Sequence, residues 1–176
     1  MYRTSRLLAL ALAGGCAGQS TVPLDEGAGD FTTDRPRYEA SYVQGSGAYR
    51  QYGFQLVARF QNRTGETVYL DRCFPDSPGP LFGVAPAARM GSAESAYDMA
   101  WACVGHDQQI PVAPGAERVD TLRIIGPNAW DGHTKEANGT LEGSFQLHYR
   151  VSACPGEGDC PWVSVRSNEF AVDRVE

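Results

Sequence analysis

Between Gln51 and Asn62 the chain alternates apolar and polar residues with a period of two. This pattern restricts the possible folds more than any other feature of the sequence. Phe54, Leu56, Ala58 and Phe60 fall on one side, and Gln55, Arg59 and Gln61 on the other. Successive side chains of an extended strand point to opposite faces, so the pattern describes a strand with one face in a core and one in water. A second run, residues 141–153, places Phe145, Leu147, Tyr149 and Val151 inward and Gln146, His148, Arg150 and Ser152 outward. Nowhere does an apolar spacing of three and four persist as an amphipathic helix requires.

Shorter strand-like segments occur at residues 67–73, 81–84, 97–104, 109–112, 117–125 and 162–172. Turn chemistry separates them: Asn62-Arg63-Thr64-Gly65, Pro114-Gly115, and the proline-broken stretch 75–80, which no central strand tolerates. The strand ending at Asn62 and the one resuming at Thr67 read as a hairpin. Seven or eight short strands with turns between them predict an all-β fold, an immunoglobulin-like antiparallel β-sandwich. The missing helical pattern excludes doubly wound and α/β-barrel folds.

Ahead of this domain, Leu-Leu-Ala-Leu-Ala-Leu-Ala-Gly-Gly-Cys (7–16) follows Arg3 and Arg6. A basic start, an apolar middle and small residues at the exit describe a secretory signal. The run falls short of the about 20 apolar residues that a spanning helix needs. Ala13-Gly14-Gly15-Cys16 resembles the lipobox of bacterial lipoproteins, with Ala13 at the place that usually holds Leu and Leu12 one step earlier. The resemblance implies that Cys16 is acylated and becomes the new N-terminus. Ala11-Leu12-Ala13 is the competing, ordinary cleavage site. Ala17, in place of an acidic residue, resembles outer-membrane sorting. The expected organisation is a signal peptide over 1–15, a lipidated N-terminus and flexible linker over 16–37, and one domain over 38–176.

Cysteine parity favours acylation. The chain has five cysteines, Cys16, Cys73, Cys103, Cys154 and Cys160, and giving Cys16 to lipid leaves an even number for an oxidising compartment. Cys154 and Cys160 flank a Pro/Gly turn between two strands, where Cα atoms come within the roughly 6 Å that a disulfide needs. That pairing leaves Cys73 with Cys103. Zinc is the rival use of four cysteines, and neither spacing matches a structural zinc pair.

The net charge is −6, and Arg3 and Arg6 belong to the leader, so the remainder is more acidic still. That balance argues against nucleic acid as a partner. It also argues against electrostatic docking on anionic lipid, leaving the acyl chains as the membrane link. No Gly-x-Ser-x-Gly elbow and no phosphate-cradling Gly-x-x-x-x-Gly-Lys is present, so no catalytic, metal or cofactor residue is assigned. A hydrolase would need His106 or His133 beside a nucleophile. Asn62 and Asn138 each open an Asn-x-Thr triplet and read as turn residues. The candidate binding loop is residues 126–140, with Trp130, Asp131 and His133, since a loop of that length often has a function and tryptophan is a frequent hot spot. The competing reading folds Trp130 back as a plug of the domain's open end.

Four segments carry a wider resemblance: Phe-Gln-Asn-Arg-Thr-Gly-Glu-Thr-Val-Tyr-Leu (60–70), Val-Ala-Pro-Gly-Ala-Glu (112–117), Leu-Glu-Gly-Ser-Phe-Gln-Leu-His-Tyr-Arg-Val (141–151) and Val-Arg-Ser-Asn-Glu-Phe-Ala-Val (165–172). Together they resemble small immunoglobulin-like lipoproteins of bacteria and, more distantly, are similar to the BsuPI-type proteinase-inhibitor domain. The resemblance implies the fold, and no inhibitory residue carries over from it. The expected function is a membrane-anchored, non-enzymatic module of the cell envelope that binds a protein or glycan or supports a complex. The alternative is a proteinase inhibitor that presents the 154–160 loop.

Overall fold

The computed structural model describes residues 24, 27–47, 50–73, 77–87, 97, 109–127, 141–156 and 160–175, and the backbone of 129–130 and 133–134. The chain is nearly all β, with no α-helix among the described residues. The strands are β1 (Gly29–Thr33), β2 (Arg37–Gln44), β3 (Gln51–Asn62), β4 (Val68–Leu70), β5 (Phe82–Pro86), β6 (Ile110–Val112), β7 (Glu117–Gly126), β8 (Ala129–Trp130), β9 (His133–Thr134), β10 (Gly143–Ser152), β11 (Trp162–Arg166) and β12 (Phe170–Val175). Ten of them form one mixed sheet, and β8 and β9 form a separate two-stranded ribbon.

The two alternating runs become the spines of the sheet. β3 pairs with β7 along one edge and with β1 and then β2 along the other. β10 pairs with β11 and β12 on one edge and with β4 and β5 on the other. β2 and β12 run parallel and join the two groups. The sheet curls until the inward faces of the spines meet. Phe60 of β3 lies 6.3 Å from Tyr149 of β10, Phe31 of β1 lies 4.2 Å from the same ring, and Phe54 of β3 lies 6.2 Å from Phe170 of β12. All the inward residues expected on β3 and β10 are buried. Each of these side chains larger than Ala58 contributes about 1.5–3 kcal/mol relative to exposure.

Three expectations are corrected. The sheet is not wholly antiparallel, because β2 lies parallel to β12 over Arg37–Ser41 before its end pairs with β3. Nor are there seven or eight strands: short polar breaks divide the chain more finely, as residues 167–169 do between β11 and β12. Folded structure also begins before Tyr38, since β1 pairs with β3 and buries Phe31 inside the segment expected to be linker. Of the strand expected over 97–104, only Tyr97 is among the described residues; it is buried, and its hydroxyl donates to the Leu141 carbonyl at 2.7 Å.

The expected hairpin at Asn62 is also replaced. β4 does not pair with β3; it pairs with β10 and β6. Both edges of β3 are already taken there, so the turn after Asn62 must carry the chain to the other spine. Asn62 fixes that turn. Its amide nitrogen donates to the carbonyls of Glu66 (2.8 Å) and Val112 (2.9 Å). Its side-chain oxygen accepts from the Thr64 amide (2.9 Å) and hydroxyl (2.7 Å). Asn62 is 0% exposed, so it is a structural turn residue. Asn138 lies outside the described residues. Among the described residues β7 pairs only with β3, and this edge carries an inward-pointing charge, Asp120, of the kind that discourages edge-to-edge association.

Asn62→Ala removes a buried group that serves four partners. It is expected to destabilise the fold by about 2–4 kcal/mol, measured by equilibrium denaturation. Replacing both Cys154 and Cys160, which are bridged, by alanine is expected to cost about 2 kcal/mol, the loop-entropy value for so short a ring.

Candidate functional site

Outward residues of β10 and its neighbours form a polar and aromatic face. Cross-strand register aligns them in rows, because directly opposed residues share a face of the sheet. One row holds Pro111 of β6, Tyr69 of β4, Ser152 of β10 and Trp162 of β11. The next contains Arg150 of β10 and Ser164 of β11. Asp71, just past the end of β4, extends this row through the hydrogen bond that its backbone N–H donates to the Arg150 carbonyl. A third row pairs Gly83 of β5 with His148 and Arg166. The His148 imidazole lies on Gly83 so closely that a Cβ there would sit 2.2 Å from Nε2.

The polar groups of the face hold one another. Arg150 Nε lies 3.1 Å from the Asp71 carboxylate, and Gln109 donates to the other carboxylate oxygen at 2.7 Å. Gln109 accepts from the Gly156 amide at 3.1 Å, which ties the Cys154–Cys160 turn to the same cluster. The Arg150 guanidinium also lies 4.5 Å from the centre of the Trp162 ring, a cation–π contact. Asp71 is 3% exposed, whereas Trp162 is 53% exposed. The result is a buried carboxylate that locks an arginine, which in turn steadies an exposed indole.

A second buried carboxylate lies on the inward face. Arg118 grips Asp120 through two nitrogens, at 2.9 and 2.6 Å, and the Tyr149 hydroxyl donates to Asp120 at 3.2 Å. Burial and the neighbouring Asp120 charge hold the Tyr149 phenol well above its ordinary range. Every fully buried side-chain polar atom among the described residues has a partner.

The strand switch between β1 and β2 is the third polar cluster. Asp34 accepts from the Val57 amide and the Tyr38 hydroxyl, each at 2.8 Å. Burial alone would raise the Asp34 carboxyl. These two hydrogen bonds and the adjacent Arg35 outweigh it and hold the group below its ordinary 3.8.

The residues expected at a site fall into separate places. Cys154 and Cys160 are bridged across the β10–β11 turn, with Cα atoms 5.9 Å apart. Cys73 is disulfide-bonded, while Cys103, the partner expected for it, lies outside the described residues. Cys16, His106 and Asp131 also lie outside them. The backbone of Trp130 pairs with that of His133 in the β8–β9 ribbon. No three His, Cys, Asp or Glu side chains gather as a metal-ligand set among the described residues. Sequence reasoning placed Arg150 and Ser152 on the outward face but did not single out Asp71, Gln109, Tyr69 or Trp162. Their signal was available only in part: outward parity marks each strand, but which strands lie side by side does not follow from parity.

No family model matches this chain, and no curated protein sequence matches it. Among solved structures it is similar to the Northeast Structural Genomics Consortium target SoR45, with a TM-score of 0.44 and 12% identity over 84% of this chain and 87% of that one. It is also similar to a Bordetella pertussis protein described as ApaA, with a TM-score of 0.35 and 18% identity over 81% of this chain and 92% of that one. A β-glucosidase from Listeria innocua aligns over 81% of this chain but 16% of its own length, with a TM-score of 0.30 and 9% identity.

Because the native state holds Asp34 ionised more strongly than the unfolded chain does, its contribution to stability is complete above 3.8 and is lost as pH falls through the lower folded value. Asp34→Asn is expected to lower stability at neutral pH and to flatten its fall below pH 3.8, as followed by denaturant titration across that range.

Proposed function

We propose that this chain is an exported, lipid-anchored envelope protein whose immunoglobulin-like β-sandwich acts as a non-enzymatic binding or structural module. The observation that carries the binding role is the face of β10 and β11, where Trp162 is exposed yet held under Arg150. Exposed, immobilised aromatics lose little freedom on contact with a partner, and so they concentrate binding energy.

Export is supported by the Cys154–Cys160 bridge, since such bonds persist in oxidising compartments. The leader and Cys16 put acyl chains at the new N-terminus, and Ala17 favours the outer membrane. The sandwich reading is supported by the grouping of β1, β3 and β7 on one spine, and of β12, β10, β11, β5, β4 and β6 on the other. β2 crosses between the two groups and pairs with both. The non-enzymatic reading is supported by Asp71 and Asp120, the two most buried carboxylates among the described residues: each is neutralised by an arginine and so is poorly placed to act as a general acid or base.

A proteinase inhibitor is the second reading, favoured by the bridged turn, where Pro155 and Gly156 are exposed and Gly156 is tied back to Gln109. Stoichiometric inhibition of a serine-protease panel by the full chain, lost on replacing Pro155 and Gly156, would establish it.

The anchor and the face are tested together in a Gram-negative host. The full chain is expected to incorporate labelled palmitate and to sediment with membranes, and Cys16→Ser is expected to release it into the periplasmic fraction. A photo-cross-linking residue at position 162 is expected to give a discrete adduct. The same residue at position 119, exposed on β7, is expected to give none; equal adducts from both positions would refute the assigned face.

A further inference from the structure

We infer that the ligand of the β4–β10–β11 face is a neutral, linear glycan of β-1,4-linked sugars lying across the strands; this deepens the binding-module reading and rests on it. Tyr69 and Trp162 stand in one row on either side of Ser152. Neighbouring strands are roughly 4.8 Å apart, so these two aromatic positions are separated by roughly 10 Å. In a β-1,4-linked chain successive rings turn over, so alternate rings present the same apolar face at a comparable spacing. Two aromatic positions two strands apart therefore suit sugars one and three of such a chain, with the middle sugar spanning Ser152, which is itself 3% exposed.

The charge of the face selects the same class. Arg150 is the cation nearest the indole, and Asp71 at 3.1 Å already balances it. What remains is a set of hydrogen-bonding groups with little net charge, flanking an apolar row. Hydroxyl groups satisfy such a surface, whereas an anion would meet a neutralised arginine on a chain of net charge −6. The bonds among Gln109, Asp71 and Arg150 exist before any ligand arrives, so contact with a sugar requires little further ordering.

A protein partner fits less well. A standard interface covers about 800 Å² on each side around an apolar centre. Among the described residues the exposed large apolar side chains are Tyr42, Val119 and Trp162, which stand on three different strands and form no joint patch. One exposed indole with a tyrosine two strands away is the scale of a sugar chain.

The test is calorimetric titration of the detergent-solubilised full chain with the β-1,4-linked hexamer of N-acetylglucosamine, with α-1,4-linked maltohexaose as the control. The hexamer is expected to bind at least about tenfold more tightly than maltohexaose, and Trp162→Ala and Tyr69→Ala are each expected to weaken it by about tenfold. Tyr69→Phe, which keeps the ring, should retain binding, and thermal unfolding of each variant shows that the fold persists. Failure of the wild-type chain to bind the hexamer, equal binding of maltohexaose, or an unchanged affinity in Trp162→Ala would each overturn the inference. A protein adduct at position 162 without hexamer binding would overturn it while leaving the binding-module reading standing.

Discussion

The architecture depends on one strand changing partners. Residues 29–44 begin on the edge of β3, run beside β12 over Arg37–Ser41 and regain β3 from Ser41 onward, and the first change is made at Asp34. Leaving an edge exposes backbone groups that had been paired, and an unpaired buried amide is costly. Asp34 substitutes for the missing strand: its own amide donates to the Val57 carbonyl, and its carboxylate takes the Val57 amide. Tyr38 then bonds the same carboxylate and packs its ring against Phe54 of β3 and Phe170 of β12, one from each group of strands. The link between the spines is thus a polar cap on its outer side and an aromatic contact on its inner side.

The two buried carboxylates show how an all-β core accommodates charge. A buried carboxylate is stable only when its partner and its remaining hydrogen bonds are supplied together. Asp120 has Arg118 and Tyr149, and the Arg118 guanidinium also bonds the Pro78 carbonyl, fastening the irregular segment beside β7. Asp71 has Arg150 and Gln109, and its carbonyl accepts from Leu81 where that segment ends. Each charged pair therefore stabilises a length of proline-rich chain with no ladder of its own. Asp71 does so on the outward side, and that is why the same residues also organise the Trp162 face.

The inward faces of β3 and β10 were readable from alternation alone, because burial on one side imposes a period of two whatever the partner strands are. The Cys154–Cys160 bridge was readable for a similar local reason: a short turn between adjacent strands brings its two ends together. Pairing was a different matter. Asn62-Arg63-Thr64-Gly65 has hairpin chemistry, yet β7 and β1 occupy β3 at that point, and competition for an edge leaves no trace in the turn residues. Gly29–Thr33 looked like tether because five residues carry too short a pattern to show, but Phe31 finds Phe60 and Tyr149 once the sheet curls.

By itself, then, the sequence determined the class of fold, the inward residues of both spines and the short covalent bridge, since each depends on residues close together along the chain. Tertiary structure alone decided the parallel contact of β2 with β12, the transfer of β4 to the second spine, and the meeting of Asp71, Gln109, Arg150 and Trp162. Those depend on which strand edges remain open when distant segments meet, and an open edge is a property of the assembled sheet.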